Sequence, residues 1–132
     1  MYLPDARIKA GVLFASIGAG SDHLSATATQ YACLRTACFA QMATPTLVVM
    51  SNKDHKLQLT SREADYFADP YFLSPGPKNL LALFGGKHIL SDITGYDAAE
   101  TTDENPERVA TIQQLTLAYL QGRYFPMHQL CR

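Results

Sequence analysis

The sequence predicts an α/β fold of about three parallel strands with flanking helices, and three observations carry that expectation. Two apolar runs, Leu47, Val48, Val49, Met50 and Leu80, Leu81, Ala82, Leu83, Phe84, lack the in-out alternation of a half-solvated strand and read as strands covered on both faces, the mark of a parallel sheet. Each run is followed within a few residues by a chemically capable side chain, Asp54 after the first and His88 after the second, where open α/β sheets place functional groups. Beyond them, Val109, Ile112, Leu115 and Tyr119 recur at helical spacing.

Taken in order, residues 7–14 form a first strand whose apolar end, Val12, Leu13 and Phe14, runs into the glycine-bearing segment 16–22. The spacing of Gly18 and Gly20 suggests a phosphate-cradling loop, but a dinucleotide fingerprint needs a third glycine where His23 stands, so an ordinary strand exit is preferred. Residues 26–42 mix Ala, Thr, Cys and Tyr without firm periodicity, and a helix is expected only over 29–39. Pro45 introduces the second strand at its entry, where a missing N–H does least harm. Residues 61–68 suit a short helix that Asp69-Pro70 and the Pro-Gly-Pro of 75–77 break. The third strand covers 78–84, a polar connection 91–104, and the closing helix begins at Asn105 as N-cap with Pro106 in its first position and stops at Gly122. Residues 123–132 read as a loose tail. No internal repeat, low-complexity tract or domain boundary interrupts residues 1–132, which are expected to be a single partial domain.

At 132 residues and 14.5 kDa the chain is long enough for one core, and 47% apolar residues are those of a globular protein. A net charge of −1 gives no electrostatic case for nucleic acid or an anionic membrane, and no apolar stretch approaches the ~20 residues that span a bilayer. Three cysteines without a CxxC pair, and no cationic-then-apolar leader, point to a reducing, cytoplasmic setting without a disulfide framework.

An acid and then a histidine, each beyond a strand end, is the order of the second and third members of a nucleophile–acid–base triad in which the nucleophile comes first. The imidazole takes the nucleophile's proton, and the carboxylate fixes the ring tautomer and stabilises the imidazolium that forms. The nucleophile elbow requires Gly two positions before and two after the serine. None of Ser16, Ser21, Ser25, Ser51, Ser61, Ser74 and Ser91 has even the first of these, and Cys33, Cys38 and Cys131 lack the flanking pair. Bland alternatives stand beside each pick: Asp54 as a turn former, His88 as a solvent-facing loop residue, and Tyr66, Phe67, Tyr71 and Phe72 as core rather than pocket lining. Asp92 and Asp97 rank below Asp54 as the acid because both follow the histidine, and His55 reads as a surface residue. A zinc site from Asp54, His55 and His88 is set aside because no Cys or His pair has ligand spacing, so neither a metal nor a cofactor is expected.

The order of strand, acid loop, strand, histidine loop and closing helix resembles the C-terminal portion of the α/β-hydrolase superfamily. The wording of Gly85-Gly86-Lys87-His88 and of residues 94–107 is similar to that of a bacterial chlorophyllase-like or dienelactone-hydrolase-like group. The resemblance covers residues 5–121 and implies Asp54 as triad acid and His88 as general base. A complete hydrolase sheet needs roughly twice this length, so the resemblance implies a partial domain without the elbow and the oxyanion-hole donors. Two functions are therefore expected. One is the acid- and histidine-bearing part of a serine hydrolase of esters or related acyl compounds, inactive alone and acting on a small-molecule ester once completed. The other is a non-catalytic remnant or interaction module that self-associates through an exposed sheet edge.

Overall fold

The computed structural model describes residues 5–88, 90 and 105–124. Strands β1 (Gly11–Phe14), β2 (Thr46–Ser51) and β3 (Lys78–Leu83) form one sheet in the order β1-β2-β3. Both pairings are parallel, with Gly11 opposite Thr46 and Thr46 opposite Lys78. The α/β arrangement is thus present as a small three-stranded parallel sheet with flanking helices.

Central β2 is buried along its whole length, and its side chains divide by alternation. Leu47 and Val49 join Leu83, Leu90 and Ile112 on one face, with Val12, Phe14 and Leu81 packed alongside; Met50 joins Leu24, Ala64, Tyr66 and Phe67 on the other, with Leu80 and Ala82. Helix α3 (Pro106–Tyr124) covers the first face through Ile112, and the segment 64–68 covers the second.

Strand β1 is shorter than the expected 7–14. Its ladder starts where the Gly11 N–H donates to the Pro45 carbonyl, and Pro45 has no N–H to continue the pairing toward the chain start. Residues 5–8 instead form a turn, with Ile8 N–H donating to the Asp5 carbonyl and Arg7 paired with the Asp5 carboxylate at 2.6 Å. That pairing also holds the Asp5 carboxyl below its usual range.

The single helix expected over 29–39 is replaced by a 3-10 turn at Ala28–Gln30 and one α turn, α1 (Ala32–Arg35), separated by extended Tyr31. α1 buries no residue fully and sets only half-buried Leu34 against the core, so a segment of this composition gains too little to extend. Asp69-Pro70 was expected to end a helix. Instead a 3-10 segment, Ala64–Ala68, runs into α2 (Asp69–Leu73), with Pro70 in its first turn, where its missing N–H has no intrahelical partner to lose. At α3 the Asn105 side chain accepts the Arg108 N–H at 2.9 Å, as an N-cap should, but the helix continues through Gly122 to Tyr124. Gly122 keeps helical backbone within it, so a glycine alone does not end the helix.

Candidate active site

Asp54 and His88 sit on the loops beyond the carboxyl ends of adjacent strands β2 and β3. Asp54 Oδ2 and His88 Nδ1 are 2.8 Å apart, within hydrogen-bond distance. The Asp54 side chain is 0% exposed and that of His88 31%. A fully buried carboxylate whose one oxygen meets an imidazole and whose other, Oδ1, has no hydrogen-bond partner among the described residues is costly, by about 1–3 kcal/mol for the unsatisfied acceptor alone. Buried acceptors left in this way are uncommon in folded chains.

Local structure fixes both loops. Asp54 N–H donates to the Ser51 carbonyl at 3.3 Å, closing the turn after β2. After β3, Gly85 adopts φ +77, which a side chain would resist. Gly86 approaches Ser51 so closely that a Cβ there would lie 2.6 Å from Ser51 Oγ. Leu90, whose N–H donates to the Lys87 carbonyl at 3.1 Å, has φ 52 and is wholly buried against the α3 face of the sheet. A non-glycine residue in the left-handed region costs on the order of 1–3 kcal/mol, which burying its side chain offsets. The histidine loop is therefore anchored by a strained but buried residue.

The imidazole also meets Phe67, with ring centroids 5.4 Å apart and a tilt of 51°. Phe67 is itself held edge-on by Tyr66 at 5.3 Å, and the Arg62 guanidinium lies over the Tyr66 ring at 5.5 Å. Arg62 pairs with both oxygens of the Asp69 carboxylate, at 2.8 and 2.9 Å, and with Asp65 at 2.7 Å. These contacts, the Asp69 hydrogen bond foremost, raise the Arg62 pKa above its ordinary value. Asp69 Oδ2 additionally accepts the Ala19 N–H at 2.9 Å, so the same carboxylate ties the loop after β1 to the segment beneath the histidine.

That tie explains the glycines of residues 16–22. A Cβ on Gly18 would lie 2.3 Å from the Tyr66 carbonyl, and one on Gly20 2.0 Å from that of Arg35. Close backbone packing occupies both positions.

Among the other candidates, His55 is on the surface, paired with Glu63 at 2.7 Å, and does not join Asp54 and His88 in a ligand set. Tyr66 and Phe67 are core, while Tyr71 is half-buried and Phe72 exposed. Cys33 and Cys38 are free, exposed thiols. Asp92, Asp97, Cys131 and the tail lie outside the described residues. Among the described residues no helix is long and apolar enough to cross a membrane. The sequence reading missed Asn52, Arg62, Asp69 and Leu90 as supports of the site. Only the Arg62, Asp65, Asp69 spacing, close to helical, could have signalled one of them.

Comparisons of the chain with protein-family models, with curated proteins and with solved structures give no match.

Proposed function

We propose that Asp54 and His88 are the acid and base of a serine-hydrolase proton relay, and that the chain is the acid- and histidine-bearing C-terminal part of an α/β-hydrolase acting on carboxylic esters or related acyl compounds. The observation that supports this best is the 2.8 Å contact of a fully buried carboxylate with His88 Nδ1 at the carboxyl ends of adjacent parallel strands. With Nδ1 donating to Asp54, Nε2 is the nitrogen that takes the proton of an attacking hydroxyl and returns it to the leaving alcohol. The carboxylate stabilises the imidazolium between those steps.

The nucleophile comes from another polypeptide segment, since no serine of the sequence has the flanking glycines of an elbow. The chain by itself is therefore expected not to turn over ester. The test is hydrolysis of a short-chain aryl ester by the chain alone and mixed with a polypeptide bearing Gly-x-Ser-x-Gly on the preceding strands. Activity in the mixture alone is expected, with Asp54→Asn lowering the rate on the order of 10⁴-fold, as loss of the correct tautomer does in a triad. Turnover by the chain alone that disappears when one of its own serines is replaced would overturn the assignment.

A second reading, an interaction module that self-associates, has its own observation. Among the described residues strand β1 has a neighbour on one side only, and beside it Phe14, Ile112, Leu117 and Leu120 line a shallow apolar groove of about 290 Å³. Open apolar edges invite pairing. A stable homodimer, with no activity in either arm of the ester experiment, would favour this reading.

A further inference from the structure

The parallel ladder between β2 and β3 does not end cleanly. Asn52 N–H donates to the Leu83 carbonyl at 3.0 Å, one regular step past the last paired residues, Ser51 and Leu83. In a continuing parallel ladder the next bond would run from the Gly85 N–H to the Asn52 backbone carbonyl. Gly85, turned to φ +77, sends its N–H instead to the Asn52 side chain, Oδ1, at 2.7 Å. The amide oxygen thus replaces a main-chain carbonyl, which lets the two loops splay apart while remaining joined. One step further, Lys53 N–H donates to the Gly86 carbonyl at 3.1 Å, and Gly86 rests against Ser51.

Asn52 lies two residues before Asp54, and Gly85 three before His88. Two bonds therefore join the loops before the acid and the base, the Asn52 side-chain bond to Gly85 and the main-chain bond from Lys53 to Gly86, and the first is the one that a side chain supplies. The Asp54 hydrogen bond and the Phe67 contact act on the imidazole, whereas the Asn52 bond acts on the main chain of the loop that carries it.

We infer that Asn52 is a positioning residue for the Asp54–His88 pair: it acts through the Gly85 N–H and touches no reacting atom. The inference rests on the acid–base reading of that pair, yet its test needs no nucleophile. The probe is the His88 Nδ1 proton in the intact chain, followed by NMR through its chemical shift and its exchange with water. Asn52→Ala removes the acceptor. It is expected to speed exchange of that proton about fivefold, the equivalent of one neutral hydrogen bond, and to move its resonance upfield. Asn52→Asp keeps an oxygen in the same place and is expected to restore both. Asn52 is exposed, so Asn52→Ala should keep the wild-type circular dichroism spectrum, and Lys53→Ala, beside it, should leave the resonance unchanged.

An unchanged Nδ1 resonance and exchange rate in Asn52→Ala would overturn the inference and leave the pair itself standing. If instead the wild-type chain shows no Nδ1 proton that responds to Asp54→Asn, both the pair and the role of Asn52 fall together. Equal losses in Asn52→Ala and Asn52→Asp would also overturn it, because the oxygen would then not be what matters.

Discussion

At Gly86 a single methyl group decides whether the acid and histidine loops can approach. A Cβ there would lie 2.6 Å from Ser51 Oγ and 3.2 Å from Ser51 Cβ, and Ser51 is held in the buried central strand and has little room to give way. Gly86→Ala is expected to cost about 1–3 kcal/mol by overpacking. Adding Ser51→Ala should recover part of that, since it removes Oγ but leaves Cβ tight; urea midpoints of the two variants and the wild type measure both effects. The loss of the Ser51 hydroxyl is itself cheap, because that oxygen is buried without a partner. The glycine pair was legible as a feature beside the histidine, but its reason was not. Gly85 is required by its dihedral angle and Gly86 by a neighbour 35 residues away in sequence.

Elements differ in how much of their placement the sequence revealed. The N-terminus of α3 was readable because Asn105 and Pro106 act within one turn. Its seat on the sheet depends on Ile112, 1% exposed against Leu47 and Val49, whereas Leu117 on the same helix is more than half exposed. Ile112→Ala is expected to cost about 2–5 kcal/mol, and Leu117→Ala to stay within about 0.5 kcal/mol, in thermal or denaturant unfolding. Strong stabilisation by Leu117 in a chain shown to be monomeric would contradict this packing. The pairing of Arg62 with Asp69, whose carboxylate is 8% exposed, was not foreseen because Asp69-Pro70 looked like a break. Asp69→Ala leaves Arg62 with Asp65 alone and the Ala19 N–H without its acceptor, and is expected to cost about 1–3 kcal/mol, measured by denaturant unfolding. Leu80 and Ala82 against Phe67, with Leu81 and Leu83 against the opposite face, show why β3 reads as continuous apolar sequence: both of its faces are covered.

For the molecule as a whole, Tyr66 links stability to alkaline pH. Burial pushes its phenol above the ordinary value; the Gly18 backbone opposes this, Asp69 adds to it and Arg62 opposes it. A folded-state value above the unfolded one means that the native chain keeps a proton the unfolded chain has already lost. Stability is therefore full below about pH 10, the ordinary tyrosine value, and falls as pH rises beyond it toward the native value. Urea midpoints at pH 9 and 11 should differ less in Tyr66→Phe than in the wild type. Equal differences would mean that Tyr66 is not the group responsible.

The sequence by itself determined the α/β class, the existence of three strands and the closing helix. It also determined the positions of Asp54 and His88 past two strand ends, because alternation, helical period and capping are local properties of neighbouring residues. Tertiary structure alone decided that β1 starts only at Gly11, that residues 29–39 do not make one helix, and that Asp69-Pro70 starts a helix rather than ending one. It alone brought Asp54 within 2.8 Å of His88 and set Asn52, Phe67 and Gly86 around them. The reason is that a side-chain contact depends on strand register and loop curvature, which are fixed by packing between segments far apart in the chain.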